Sequence, residues 1–504
     1  MDSTAGRRRT ARSSLPANAG VAARRLRRAA VLVVLSVAAL GGCGRDRGEQ
    51  AAPARATPPP AGWGDIERLV DSVMAAGMAA EHIPGAAFVL VRDGRVVLRK
   101  GYGFADVEAR RPVVADSTVW PIGSITKVFT ATAVVQLADR GKLDLNADVN
   151  RYLRRVQVPP TFPQPVTAAH LLTHTAGFDE LPGRLVRSAA EVRPLDRFLR
   201  DRLVRIRPPG VLTAYSSYGM ALAGALVEDV SGLPYDEYVA REILAPLGMR
   251  GARVMSRAGS EAGLATGYEV DGDVARRVPY EWYHTPPASS LVASAADMAA
   301  FMIAQLDGGA YGGGRILSER ATREMQAQHT TVHPLIPGFG YGFQMSDANG
   351  ERIVEHGGDI GGFGTLMVLL PDARTGFFVA HHREGSELRY KVRRALLDRY
   401  FPAPPPTVPH PDSAAASRVR RFAGRYRPII FCHSCSDSGR TPPDVVVTAN
   451  ADGTISLFDA RWVETSPRYF RSLDGTRRIG FAEDEGGRII AASAGSWQVL
   501  ERVR

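Results

Sequence analysis

Residues 121–145 read PIGSITKVFTATAVVQLADRGKLDL. Ile125, Val128, Phe129, Ala133, Val134 and Leu137 recur at a spacing of roughly 3.6, which predicts a helix opening after Gly123-Ser124 and stopping at Gly141. Residues three apart on a helix share a face, so the Lys127 amine is expected over the Ser124 hydroxyl at the first turn. A serine hydroxyl is a poor nucleophile until a base takes its proton, and a partly buried lysine with a lowered pKa can do that. Of 63 Lys plus Arg, only Lys100, Lys127, Lys142 and Lys391 are lysine. Arginine does not deprotonate in proteins, so few cations here could serve as a base. Taken alone, Ser-x-x-Lys also describes an ordinary solvated helix turn, and the rest of the chain has to decide.

The chain of 504 residues, 45% hydrophobic and 23% charged, has the composition of a globular protein with room for two or three domains. Its formal charge of +11 would suggest a nucleic-acid partner, but residues 1–42 carry eight arginines against Asp2, leaving +4 for the remainder. The basic excess belongs to a leader, and no nucleic-acid partner is expected. Within 1–42, RRLRR precedes an apolar run at 29–40 of about a dozen residues, too short for a spanning helix of ~20 and right for an export signal. Leu40-Gly41-Gly42-Cys43 resembles the lipobox of bacterial lipoproteins, which implies lipidation at Cys43 and a membrane-anchored or periplasmic location in the cell envelope. A plain secretory signal or an uncleaved amphipathic anchor are the alternatives. Residues 43–62 are polar and Pro/Ala-rich, as a tether would be.

Folded sequence is expected over 63–400, beginning with an amphipathic helix and a hairpin around Asp93-Gly94. His174 lies inside LLTHTAGF and reads as a hydrogen-bonded structural group; the following Asp179 and Glu180 carry no assigned role. Tyr215-Ser216-Ser217 stands between a Pro-Pro-Gly turn and a helix ending near Gly232, where side chains can project into a cleft. Tyr215 could act as a base only if a cation such as Lys127 held its phenolate. Residues 294–309 predict a helix capped by Ser294, with Asp297 in its first turn. Residues 339–345 and 352–354 predict strands, followed by a Gly-rich loop from His356 to Gly362 and a second hairpin.

Residues 401–417 are a Pro-rich linker, and 418–504 hold six or seven short alternating runs that predict a small antiparallel barrel. Cys432 and Cys435 are expected to form a local disulfide in an oxidising compartment; two free thiols in a loop is the alternative, and a metal site would need ligands that are not visible.

With these pieces together, residues 83–397 resemble the serine β-lactamase and penicillin-binding-protein-like superfamily, on its class C-like branch. Ser124-Ile125-Thr126-Lys127 matches the first motif, Tyr215-Ser216-Ser217 the Tyr-x-Asn/Ser motif, and His356-Gly357-Gly358 the Lys/His-x-Gly motif. IPGAAF, GYGFAD and LVEDVSG agree as well. The resemblance implies an α+β fold: a β-lactamase/transpeptidase-like antiparallel sheet flanked by helices, plus a mostly helical lobe. The tail resembles the lipocalin-like barrels appended to some members. The resemblance also implies roles. Ser124 attacks a carbonyl, Lys127 accepts its proton, Tyr215 relays a proton to the leaving group, and backbone N–H groups of Ser124 and Asp359 hold the oxyanion, with Ser217, His356 and Gly358 lining the substrate. No metal or cofactor is implied.

Two departures bear on the substrate. The penicillin-hydrolysing branch usually keeps Lys-Thr-Gly and Tyr-x-Asn, where this chain has His356 and Ser217. Lysine stays charged and attracts a carboxylate, whereas histidine titrates near 6.5. The expectation is therefore a peptidase or esterase acting on small amides, esters or D-amino-acid peptides. A β-lactamase, a non-catalytic envelope binding protein and a scaffold working through its barrel are the alternatives.

Overall fold

Gly85–Arg92 (β1) is almost continuously apolar, a pattern stable only in a strand covered on both faces. Successive side chains alternate, so Ala87, Val89 and Val91 enter one core while Ala86, Phe88 and Leu90 enter another. This computed structural model describes residues 63–272, 274–407, 409–411, 414–435 and 441–503, all within one unit, Gly41–Arg504. The expected export signal, Cys43 and the tether lie outside the described residues.

Asp93 and Gly94, with φ of 48° and 74°, make the tight turn into β2 (Arg95–Asp106). β3 (Arg111–Pro112) follows, and four later strands complete an antiparallel sheet: β4 (Gln344–Ala348), β5 (Glu351–Ile360), β6 (Phe363–Leu370) and β7 (Thr375–His382). The order is β4-β5-β6-β7-β1-β2-β3. Helices α1 (Ile66–Ala80) and α5 (Leu388–Tyr400) cover the Phe88 face through Val70, Met74, Val392 and Leu396. The other face packs on a helix at Ala295–Leu306 (α4), and two helices packed on each other, α2 (Thr126–Asp139) and α3 (Ser217–Ser231), continue the same apolar core. α4 carries the expected Ser294–Asp297 capping box.

α2 departs from the one-faced helix its spacing predicts, because every residue from Thr126 to Leu137 is buried. Its polar side chains donate to buried carbonyls: Thr130 to Pro287 O at 2.6 Å, Thr132 to Val128 O at 2.8 Å, and Gln136 to Ile316 O at 2.7 Å. A helix wrapped on all sides holds its side chains still, and the first turn of this one carries Ser124 and Lys127.

Two strand expectations need correction. Residues 339–345 are not one strand: Gly342 turns at φ 73°, and a Cβ there would come within 2.4 Å of the Ala131 side chain, so β4 starts only at Gln344. The stretch from His356 is strand rather than loop, since β5 runs to Ile360. β4 stops pairing at Gln344 opposite Glu355, so 356–360 pair with β6 alone and the other edge meets the turn before α2. Glycine at 358 permits that approach: a Cβ there would sit 2.0 Å from Ile122 O.

The tail closes into an eight-stranded antiparallel barrel: β8 (Gly424–Pro428), β9 (Val445–Ala449), β10 (Thr454–Leu457), β11 (Ala460–Ser466), β12 (Tyr469–Ser472), β13 (Arg478–Glu483), β14 (Ile489–Ser493) and β15 (Val499–Arg502). Phe422, Tyr426, Trp462, Phe470 and Phe481 fill it. The strand beyond the expected six or seven is β11, entered through Phe458-Asp459, both at positive φ (50° and 54°) with no glycine to announce the turn. Cys432 and Cys435 form a disulfide. Its loop docks on the preceding domain, where His433 N–H and Ser434 N–H each donate to Asp179 at 2.8 Å. Arg478 pairs with Asp347, and Arg207 with Glu501, across the same junction. Among the described residues no helix is long and apolar enough to cross a membrane.

Candidate active site

Gly123, at φ 53°, starts the turn that presents Ser124. The Thr126 hydroxyl fixes this turn, donating to Gly123 O at 2.6 Å and accepting from Leu291 N–H at 3.0 Å. One helical step on, Lys127 Nζ lies 3.0 Å from Ser124 Oγ and 2.7 Å from Ala288 O, with no exposed surface on Lys127. Burial pushes the Lys127 pKa well below 10.5; Arg184 adds to the fall and Glu180 opposes it. Lys127 Nζ also sits 4.8 Å from the Tyr215 ring centre. A cation over a ring gains about 0.5–2 kcal/mol, less than the several kcal/mol lost by desolvating an unpaired ammonium, so the neutral amine is favoured. A neutral amine donates to Ala288 O and keeps a lone pair for the Ser124 proton.

Tyr215-Ser216-Ser217 is held from below by two residues. Ser216 N–H donates to His174 Nδ1 at 3.1 Å, and Ser217 N–H donates to the Glu180 carboxylate. Ser216 then caps α3, its Oγ accepting from Gly219 N–H at 3.1 Å. His174 is buried at φ 58°, and its ring packs 4.4 Å from Tyr215, so it is the structural group its sequence context indicates. Burial pushes its pKa well below 6.5. Glu180 went unassigned in the sequence because its partner is a backbone N–H distant in the chain, which leaves no side-chain pattern.

The Tyr215 hydroxyl is enclosed and makes no hydrogen bond of normal geometry. Burial raises its pKa above 10, and the nearby Ser124 hydroxyl only partly opposes this. Tyr215 is therefore a phenol, able to give a proton, and not the phenolate that a charged Lys127 would have held.

His356, Gly358 and Asp359 lie on the stretch of β5 that meets the Ser124 turn. A Cβ on Gly123 would sit 3.0 Å from Asp359 N, which sets that amide beside the Ser124 backbone. The Asp359 carboxylate points elsewhere, to Arg389 at 2.6 Å and Gly385 N–H at 3.1 Å. His356 is fully buried, and burial drops its pKa from 6.5 to about 3, so its imidazole is neutral. Its Nδ1 lies 2.7 Å from Gly357 O.

Trp497 completes this group from the barrel. It occupies the turn before β15, which begins at Val499. Its ring centre lies 4.1 Å from Tyr215 and 6.2 Å from His356. The structure thus brings together Ser124, Lys127, Tyr215, Ser217, His356, Gly358 and Asp359, and adds Glu180, Arg184 and Trp497. Among the described residues no group of three or more His, Cys, Asp or Glu could hold a metal ion.

The beta-lactamase family matches residues 70–400, spanning all three motifs. Protein flp of Staphylococcus aureus strain N315 is 26% identical over 327 residues, 62% of this chain and 63% of that protein. The chain thus spans somewhat under two-thirds of the length of such relatives. The putative penicillin-binding protein PbpX of Bacillus subtilis is 33% identical over 230 residues, covering 44% of this chain and 55% of that one. Among solved structures, the octameric penicillin-binding protein homologue from Pyrococcus abyssi is 23% identical with a TM-score of 0.57, and SurE is 22% identical with 0.61. Both alignments cover 87% of this chain and all of the other, so the shared fold extends into the barrel. A matched family over the whole catalytic core and the Ser124–Lys127–Tyr215 geometry agree: the chain belongs to the beta-lactamase family of serine hydrolases, with the penicillin-binding-protein homologues.

Proposed function

We propose that the protein is an exported serine hydrolase that forms an acyl-enzyme at Ser124, acting as a peptidase or esterase on small amides, esters or D-amino-acid peptides. The observation that carries this reading is the 3.0 Å approach of a fully buried Lys127 amine to Ser124 Oγ. The Ser124 proton passes to Lys127 Nζ while Oγ bonds to the substrate carbonyl carbon. The resulting oxyanion takes N–H donors from Ser124 and Asp359. As the tetrahedral adduct collapses, Tyr215 gives its proton to the leaving group and is reprotonated from Lys127; water then adds to the acyl carbon, its proton returning by the same route.

The neutral His356 argues for a substrate other than a β-lactam, whose carboxylate a lysine would attract. SurE, which shares the fold, has a structure with D-Leu, and D-amino-acid derivatives accordingly belong among the substrates tried. Export and lipidation at Cys43 rest on the leader's composition; fractionation of a Cys43→Ala variant tests them.

Hydrolysis of p-nitrophenyl acetate and butyrate, nitrocefin, D-Ala-p-nitroanilide and a D-Ala-D-Ala peptide should be measured beside Ser124→Ala and Lys127→Ala. One substrate should turn over, and both variants should lose at least about a hundredfold in rate. Absence of turnover throughout, or variants equal to wild type, would leave a binding protein instead.

A further inference from the structure

His356 and Trp497 share one edge of the cleft, though they come from the sheet and the barrel respectively. The Gly357 carbonyl can only accept, so His356 Nδ1 carries the ring proton and donates to it at 2.7 Å. Nε2 is then a bare lone pair. It is buried, and among the described residues no group supplies it with a donor. A buried acceptor without a partner is costly to maintain, and a ligand carrying an N–H or O–H would satisfy it.

Trp497 walls the same space. Its ring lies 4.1 Å from Tyr215 at 40°, stands edge-on to His356 at 6.2 Å, and retains 37% exposure, so part of it is open to an incoming group. Tyr215 is the proton donor to the leaving group in the proposed reaction, and a ring packed on Tyr215 therefore borders the leaving group and not the acyl group. Aromatic faces and a lone pair both repel a carboxylate. A cation would gain from the ring faces, but both nearby carboxylates are already ion-paired, Asp359 with Arg389 at 2.6 Å and Glu180 with Arg184 at 3.7 Å, and the charge of Arg184, felt at Lys127 and Tyr215, opposes it.

We infer that His356 and Trp497 form a leaving-group subsite for a flat, uncharged group that carries a hydrogen-bond donor, so that the barrel takes part in choosing the substrate. This deepens the reading of Ser124 as the acylated nucleophile and rests on it. Lys127, Ser124 and Tyr215 perform the bond exchange, and Trp497 sets which alcohol or amine departs.

The test uses the full-length protein and acetate esters that share an acyl group: para-acetamidophenyl, phenyl, para-carboxyphenyl, para-(trimethylammonio)phenyl and ethyl acetate. Wild type should prefer the para-acetamidophenyl ester over the carboxylated and cationic ones. Trp497→Ala should reduce kcat/KM for the para-acetamidophenyl ester by roughly tenfold, about the upper end for one aromatic contact, mainly through KM. Ethyl acetate should change less than about twofold in the same variant, and Trp497→Phe should restore the aryl preference. His356→Phe should abolish the advantage of para-acetamidophenyl over phenyl acetate. A uniform loss across all esters would make Trp497 a domain-docking residue and overturn the inference, as would fastest turnover of the carboxylated or cationic ester. Labelling of Ser124 by a small fluorophosphonate, read by mass, separates the two levels. Labelling without leaving-group selectivity sinks only the subsite; no labelling and no turnover removes the hydrolase reading and the subsite together.

Discussion

Ser434 of the barrel grips Asp179 of the hydrolase core twice, through its N–H at 2.8 Å and its hydroxyl at 2.7 Å. Asp179 is fully buried, and His433 N–H adds a third bond at 2.8 Å. Asp179→Ala would leave these donors facing a void. The expected cost is roughly 3 kcal/mol, since each buried unsatisfied donor costs about 1–3 kcal/mol and water entry recovers part. Urea unfolding of the full-length variant checks it, with a lower midpoint as the expected result.

The next residue, Glu180, acts on Lys127 through charge. Its carboxylate raises the Lys127 pKa, whereas Arg184 lowers it. Glu180→Gln should therefore move the acidic limb of kcat/KM to lower pH, and Arg184→Ala should move it to higher pH. Shifts of the same sign in both variants would contradict this arrangement.

The shape of the wild-type profile follows from three groups. Lys127 must be neutral to accept the Ser124 proton, so activity rises with pH through its depressed pKa and reaches a plateau below 10.5. His356, at about 3, contributes no inflection near 6.5. Tyr215, pushed above 10, remains protonated where a free tyrosine would begin to ionise, so no basic limb is expected at that value. Rates recorded from pH 4 to 10 test all three points.

Acid stability depends on buried histidines. His356, His381 and His382 are held near 3, 4 and 3 by burial, against 6.5 when unfolded. Between those values the unfolded chain binds more protons, so stability is present above pH 6.5 and is lost as pH falls toward the folded pKa values. Each such histidine contributes about 1.4 kcal/mol per pH unit to the slope below pH 6. His382→Phe should therefore lower the slope by about 1.4 kcal/mol per pH unit in denaturant titrations at pH 7, 6, 5 and 4.

Gly358→Ala tests the closeness of β5 to the nucleophile turn. The added Cβ would lie 2.0 Å from Ile122 O and 2.5 Å from Thr365 Oγ1, so strand and turn must part. A displacement of about 1 Å costs on the order of a hundredfold in rate, and the loss should appear in kcat.

Ser124, Lys127 and Tyr215 were legible because each sits at a helix start, where periodicity and turn residues mark the position. Ser294 and its capping box were legible for the same reason. The glycines of 357–358 misled: they usually mark loops, but here they thin a strand so that it can pass Ile122 closely. β11 was invisible because Phe458-Asp459 makes a left-handed turn without Gly or Asn. Glu180 and Trp497 act through a backbone N–H and a ring face on remote segments, relationships that exist only once the chain has folded.

The docking of the barrel has a consequence for biosynthesis. A chain grows from its N-terminus, so Ser124, Lys127 and Tyr215 leave the ribosome long before Ser434 and Trp497. Until β8 and the loop after it are made, Asp179 has no barrel partner, and until the turn before β15 is made, Tyr215 lacks the Trp497 ring against it. A chain that terminates early thus carries its nucleophile without the wall beside it, and the cleft takes its final form only when the last strands are added.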